Sequence, residues 1–172
     1  VRDYTDMVIL GATRDDAAGE CFDKAARVLG LPYPGGRPMD ELAQKSKGGV
    51  YKLPHANVDG APLDMSFSGL KTAALNLIHH AEQVGDEIDI PSLCAGFTAA
   101  VSDTLVPRVV RAIEETGCKK IAGAGGVAAN SRIRRDLLAA AEKLGAEVFM
   151  PPLKLCGDNA AMIGAQAYYE YL

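Results

Sequence analysis

The stretch KKIAGAGGVAANSRIRRD, Lys119 to Asp136, joins a short apolar run to a helical pattern through two adjacent glycines. The apolar run is Ile121 to Ala124, Gly125-Gly126 closes it, and the helical pattern opens near Asn130 or Ser131. Glycine allows positive φ and close approach of the backbone to a ligand. A helix N-terminus presents free N–H groups and the positive end of a dipole. The stretch therefore predicts a strand, a tight turn and a helix that suit a nucleotide, although an ordinary strand–helix turn has the same pattern.

Length and composition limit the class of protein. The 172 residues, 48% of them hydrophobic, suffice for one domain or two small lobes with a buried core. The net charge of -4 gives no global sign of nucleic-acid binding, so such binding would need a local patch. Arg132, Arg134 and Arg135 are one candidate, and a solvated helix face explains them equally well. The four cysteines form no CxxC pair, which is typical of reduced thiols in the cytosol, and no apolar run approaches the ~20 residues of a membrane span.

The part of the chain before residue 118 is predicted to be mainly helical. Met7 to Leu10 reads as a short buried strand, and Thr13 or Asp15 is expected to cap a helix over residues 16–29. Residues 50–53 are a candidate strand. Three further helices are expected, over about 38–43, from Ser66 or Ser68 to residue 84, and from Asp89 to residue 116. Pro107 is expected to kink or split the last of these, at a cost of about 3 kcal/mol.

From residue 118 onward, strand and helix patterns alternate. After the opening unit come a helix over 133–144, a strand over 147–150, a rigid loop over 151–157 and a final helix over 160–172. This alternation predicts an α/β domain with a short parallel sheet flanked by helices. Ligands of such sheets bind beyond the carboxyl ends of the strands, which places Gly125-Gly126, Asn130 and the loop Cys156–Asn159 on one rim.

Two acidic residues are candidate ligand-binding groups by their position in the pattern. Asp23 lies one helical turn beyond Gly19, which leaves room for a hydroxyl-rich ligand, although a solvated acidic face has the same spacing. Asp158 follows a stiff loop at the start of the final helix, where it is an N-cap by default, a metal ligand or a catalytic base. Gly35-Gly36 either lets a ligand touch the backbone or forms a simple turn.

Four longer segments occur in an order that points to one family: TRDDAAGECFDKAARVLGLPYPGG, SFSGLKTA, GGVAANSRIR and PPLKLCGDNAAMIG. They resemble the signature segments of the tRNA threonylcarbamoyl-adenosine transferases, formerly called O-sialoglycoprotein endopeptidases. The resemblance runs from Leu10 to Tyr169. It implies an RNase H-like lobe of the actin/Hsp70/sugar-kinase fold, in which two lobes enclose a nucleotide cleft.

The resemblance also implies an activity and a set of site residues. The family transfers a threonylcarbamoyl group from threonylcarbamoyl-adenylate to the exocyclic amine of the tRNA adenosine next to the anticodon. The positions that match its adenylate or adenine-nucleotide contacts are Asp23, Gly36, Asp40, Gly125, Gly126 and Asn130. Asp158 matches one ligand of the family's iron or zinc ion, which would act as a Lewis acid and template. No residue is assigned as the catalytic group.

The chain departs from the family pattern at the metal site. The other two family ligands are histidines spaced i, i+4, whereas His55, His79 and His80 include no such pair. The family's glycine-rich SGGH-type turn is also absent. We therefore expect residues 1–172 to be the C-terminal portion of a two-lobe enzyme. In it, residues 1–117 would form a helical, lobe-linking part and residues 118–172 a strand–helix nucleotide-binding part.

Alone, this portion is expected to be catalytically inactive and to hold the metal weakly. The cysteine usage and the lack of a membrane-length apolar run predict a cytoplasmic protein without membrane contact. The resemblance implies that it acts on tRNA together with partner proteins, namely a non-catalytic paralogue and an ATPase. Apolar surface on the last helix is expected to make the isolated chain self-associate. Two alternatives stay open: another nucleotide-dependent carbamoyltransferase or ATPase of the same fold class, and a non-catalytic assembly module. A protease has little support, since no nucleophile–base pair and no HExxH motif is present.

Overall fold

A computed structural model describes residues 1–47, 51–55 and 57–172. Within these ranges the chain forms six α-helices and a sheet of two short strands. In chain order the elements are α1 (Ala18–Val28), α2 (Gly36–Ala43), α3 (Ser68–Val84), α4 (Ile90–Thr116), β1 (Lys120–Ala122), α5 (Ser131–Leu144), β2 (Glu147–Phe149) and α6 (Ala160–Tyr171). One 3₁₀ turn (Gly126–Ala129) precedes α5, and another (Leu153–Leu155) lies between β2 and α6.

The two strands are parallel and are connected through α5. Ile121 lies opposite Val148 in the ladder. The pairing continues beyond the strand ends, because the Gly123 N–H donates to the Phe149 carbonyl at 2.9 Å. The α/β class with a short parallel sheet flanked by helices is therefore confirmed.

The core is built mainly from helices rather than from the sheet. α4 packs against α2 and α5, and α1 packs against α2 and α3. The rings of Phe22 on α1 and Phe97 on α4 meet with centroids 5.5 Å apart and planes tilted by 59°. Ile133 of α5 belongs to the same buried cluster, so the core extends across the predicted boundary at residue 117. The division into two parts stays a prediction.

The predicted strand at Met7–Leu10 is wrong. These residues adopt no regular structure, and Ile9 is 84% exposed. A strand needs a neighbouring backbone for its N–H and C=O groups, and in the described part of the chain nothing pairs with residues 7–10. The nearest pairing is an isolated bridge between Thr13 and Met65. Of the candidate strand over 50–53, Val50 lies outside the described residues and Tyr51–Leu53 form no strand.

The helix starts follow the prediction in part. Asp89 caps α4 as expected, accepting from the Ser92 N–H at 3.2 Å. Asp15 does not cap α1, which begins without a side-chain cap after Ala17. Its carboxylate instead reaches α3 across 52 residues of sequence, accepting from the Phe67 N–H at 2.8 Å and the Ser68 N–H at 3.2 Å. The predicted caps of α3, Ser66 and Ser68, both donate their hydroxyls to the same carboxylate.

Pro107 neither splits nor ends α4, which is continuous over 27 residues. α4 is also the one helix of the described ranges that is long and apolar enough, by length and composition, to cross a membrane. Half of its most apolar window is buried inside the fold, against α2 and α5. Packing on both sides of Pro107, at Val101 and Ile113, keeps the helix in one piece despite the lost backbone hydrogen bond.

Candidate nucleotide-binding site

A cavity of about 1020 Å³ opens between α1, α2 and the loops that follow β1 and β2. The six residues predicted to hold a nucleotide all line it: Asp23, Gly36, Asp40, Gly125, Gly126 and Asn130. Apolar walls are contributed by Phe22, Val127 and Leu153. Small-molecule sites combine such apolar walls with a few convergent polar groups. A second cavity, of about 280 Å³ around His80 and Glu87, contains none of the six.

Asp23 anchors the Gly35-Gly36 turn to α1. Its Oδ1 accepts the Gly35 N–H at 2.6 Å, so one carboxylate oxygen is already engaged by the protein. Gly35 has no room for a side chain, since an added Cβ would lie 2.3 Å from the Ala26 Cβ. Gly36 differs, because an added Cβ would meet no protein atom within 4 Å. The fold itself therefore requires glycine at position 35 but not at position 36, where the backbone borders the cavity.

Asp40 ties α2 to the first residue of α5. Its carboxylate accepts the Ser131 hydroxyl at 2.7 Å and the Ser131 N–H at 3.2 Å. The Gln44 side chain donates to the same carboxylate at 3.2 Å. A negative charge at a helix N-terminus is favourable because the free N–H groups there carry partial positive charge. Asp40 thus has a structural role, and its contact with a nucleotide stays a prediction.

Asn130 combines a capping bond with an unused donor. Its Oδ1 accepts the Ile133 N–H at 3.1 Å and so caps α5. Its Nδ2 is buried and has no hydrogen-bond partner in the described part of the chain. Most buried polar groups in native proteins are hydrogen-bonded, so an orphaned amide in a cavity wall calls for an acceptor. The turn before it requires glycine at position 125, where φ is +86°.

Sequence reasoning missed three charged groups in the lining, Arg37, Glu41 and Lys154. Arg37 pairs with Glu41 at 2.7 Å, and this hydrogen bond raises the pKa of Arg37. Lys154 forms no ion pair among the described residues. The expectation that ligands bind beyond the carboxyl ends of the strands did predict that the loop after β2 lines the site, but it placed the lining residues at Cys156–Asn159. The residues of this loop that reach the cavity are Leu153 and Lys154, which lie in its 3₁₀ turn.

A profile of the tRNA N6-adenosine threonylcarbamoyltransferase family matches residues 1–165. The chain belongs to this family. The Moorella thermoacetica protein of that name is 52% identical to this chain, and the Clostridium botulinum protein is 47% identical, each over 172 residues. The match covers 100% of this chain but only 50% and 51% of those relatives, so the chain spans about half their length.

Two solved structures show that the fold is shared more widely. HypF from T. kodakarensis aligns with a TM-score of 0.64 at 21% identity, covering 90% of this chain and 20% of that one. Full-length HypF in a phosphate- and nucleotide-bound form aligns with a TM-score of 0.61 at 19% identity, covering 90% and 21%. At this identity the likeness concerns the fold alone.

The described residues do not by themselves fit the metal ion that the family resemblance implies. Asp158 is exposed and does not line the cavity. No group of three His, Cys, Asp or Glu side chains suited to a metal occurs within the described ranges. Asp158 is not the cap of α6 either, since Asn159 Oδ1 accepts the Met162 N–H at 3.1 Å. That expectation was wrong because Asn159, one residue closer to the helix, takes the capping position.

Proposed function

We propose that this chain forms the adenosine-binding side of an enzyme that modifies tRNA. The enzyme would transfer a threonylcarbamoyl group from threonylcarbamoyl-adenylate to the exocyclic amine of the tRNA adenosine next to the anticodon. One observation carries the proposal: a single cavity is lined by all six residues that match the family's nucleotide positions. Membership of the family supplies the reaction class.

Each wall of the cavity offers a group that suits part of an adenosine. The Asp23 oxygen not held by Gly35 can accept from ribose hydroxyls. The unpartnered Nδ2 of Asn130 can donate to a ribose or ring acceptor. Phe22 and Val127 offer apolar surface to the base. Lys154 adds a positive charge that suits the anionic phosphate of the adenylate.

The reacting end of the substrate would be held mainly by residues outside this chain. Asp158 is proposed as one metal ligand only in combination with such residues, because the described part holds no three-ligand group. A bound divalent ion would polarise the acyl-phosphate oxygens. We accordingly expect residues 1–172 to bind adenine nucleotide but not to catalyse transfer alone. The tRNA and the partner proteins implied by the resemblance, and the cytoplasmic location predicted from the cysteines, belong to the same proposal.

The activity is tested with the full-length protein and its partner proteins. These are incubated with unmodified tRNA and threonylcarbamoyl-adenylate, and the digested nucleosides are analysed by mass spectrometry. The proposal predicts an adenosine heavier by one threonylcarbamoyl group. Nucleotide hydrolysis or carbamoyl transfer to another acceptor, without this nucleoside, would instead favour the alternative enzymes of the same fold.

The cavity is tested with a pair of glycine substitutions in first helical turns. Gly36→Ala places a methyl group in the cavity and Gly69→Ala places one on α3, and neither Cβ meets a protein atom within 4 Å. Both variants are expected to have the same melting temperature as the wild-type protein. Gly36→Ala should weaken the binding of ADP by about tenfold or more in calorimetry, or about 1.4 kcal/mol, while Gly69→Ala should leave it unchanged. Equal ADP affinity in the two variants would contradict this placement of the nucleotide.

A further inference from the structure

Three arginines in the first turns of α5 have different surroundings. Arg132 and Arg135 both pair with Asp136 on their own helix, at 3.1 and 2.8 Å. Arg134 turns toward the interior, where it donates to the Ala128 carbonyl at 2.5 Å and the Pro151 carbonyl at 2.6 Å. Two of the three charges are therefore matched by a carboxylate, and the third is directed into the fold instead of forming a basic surface patch.

The contacts of Arg134 join two loops that are distant in sequence. Ala128 belongs to the 3₁₀ turn Gly126–Ala129, and Pro151 belongs to the loop after β2. The same guanidinium donates to Cys156 Sγ at 3.6 Å, 22 residues further along the chain. The first loop supplies the glycine wall of the cavity, and the second supplies Leu153 and Lys154.

The second loop has few other attachments. Leu153 is 62% exposed and Leu155 is 48% exposed, so its apolar side chains contribute little burial. Cys156 is the exception at 4% exposed, and it lies directly against Arg134. A guanidinium can serve two carbonyls at once through its rigid fork of N–H groups, whereas a lysine ammonium is a point charge on a flexible stem.

We infer that Arg134 is the positioning residue that holds residues 151–156 against the glycine turn and so completes the nucleotide cavity. Without it, the loop after β2 would separate from Ala128, and Leu153 and Lys154 would leave the cavity wall. The consequence for nucleotide affinity rests on the proposed function. The consequence for the loop itself does not.

Cys156 provides a local measure of loop position. Cys118 is the exposed cysteine, so the experiment uses a Cys118→Ser background, in which the remaining thiols Cys21, Cys94 and Cys156 are buried. Iodoacetamide labelling of each thiol is followed by mass spectrometry in Arg134→Ala, Arg134→Lys and the matched control Arg135→Ala. We expect Cys156 to be labelled at least about tenfold faster in Arg134→Ala, at an intermediate rate in Arg134→Lys and at the parent rate in Arg135→Ala.

ADP affinity is measured on the same proteins. We expect about tenfold weaker binding in Arg134→Ala and unchanged binding in Arg135→Ala. Labelling of Cys21 and Cys94 at the rate of Cys156 would show that Arg134→Ala has unfolded as a whole. In that case the labelling rate of Cys156 in Arg134→Lys is used instead. The inference is overturned if Cys156 is labelled at the parent rate in Arg134→Ala or, where that variant is unfolded, in Arg134→Lys. If the parent does not bind ADP, the proposed function fails, whereas the labelling still decides the role of Arg134.

Discussion

Two strand–loop–helix units of this protein have the same local design and different surroundings. In each, a three-residue strand leads through a 3₁₀ turn to an asparagine that caps a helix. Asn130 accepts the Ile133 N–H at 3.1 Å at the start of α5, and Asn159 accepts the Met162 N–H at 3.1 Å at the start of α6. Short-range chemistry therefore sets the turn and the cap of both units, while their strands depend on pairing with each other.

The two helices differ in what covers them. α5 buries Ile133, Leu137 and Ala141 against the core, whereas α6 has no buried residue. Ile163 of α6 is 64% exposed. The apolar content of a helix thus does not decide whether it is buried.

The two caps differ in the same way. Asn130 is 7% exposed and its Nδ2 has no partner among the described residues, whereas Asn159 Nδ2 donates to the Gly157 carbonyl at 3.2 Å. The Asn159 side chain forms all of its hydrogen bonds within its own loop and helix, whereas Asn130 leaves an unpaired donor in the cavity wall. A binding group is therefore distinguished from a cap by its tertiary position rather than by its local bonds.

The largest expected effect is a difference in protein stability between substitutions in α5 and in α6. Ile133→Ala removes a side chain that is 6% exposed and should lower the free energy of unfolding by about 2–5 kcal/mol, because it leaves a cavity in the core. Ile163→Ala, on the exposed helix, should change it by less than about 0.5 kcal/mol. Urea unfolding followed by circular dichroism measures both. A loss of several kcal/mol in Ile163→Ala would show that α6 is packed in solution.

A smaller effect separates the two caps by function. Asn130→Ala and Asn159→Ala each remove one capping bond and should each cost about 1 kcal/mol of stability. Only Asn130→Ala should also weaken ADP binding, by about tenfold in calorimetry, because only Asn130 lines the cavity. The assignment of Asn130 to the nucleotide does not survive if both variants bind ADP with parent affinity.

The smallest effect concerns α3, whose cap comes from a distant residue. Burial acts to raise the pKa of Asp15, but hydrogen bonds from Ser66, Phe67 and Ser68 outweigh it and lower the pKa to about 2. A carboxyl whose pKa is lower in the folded state stabilises the protein fully above its unfolded value of about 4. This contribution is lost as the pH falls toward about 2, the folded value.

Asp15→Asn should therefore be less stable than the parent at pH 6 by about 1 kcal/mol or less, since the side chain is exposed and solvent screens it. The difference should disappear near pH 2. Asp59→Asn, at an exposed carboxylate outside any helix, serves as the control and should follow the parent at every pH. Urea unfolding at each pH gives the comparison. A gap between Asp15→Asn and the parent that is constant with pH would contradict a role for the Asp15 charge.

Most of the helices, both strands after residue 118 and the six cavity residues could be predicted from the sequence. The helices follow from apolar spacing, from Asp89 and Asn130 at their starts and from glycines at their ends, which are local signals. The six cavity residues were predicted from the resemblance to a family. Their position after a strand independently placed three of them, Gly125, Gly126 and Asn130, on one rim of the sheet.

Only the tertiary structure decided the pairings between distant segments. Asp15 caps a helix that begins 53 residues later, Arg134 bridges two loops, and Met7–Leu10 stays exposed despite its apolar run. The physical reason is that a cap or an amphipathic face is a short-range property, set within one or two turns of chain. Which surface a face covers, and which carboxylate reaches which N–H group, depends on the packing of the whole chain.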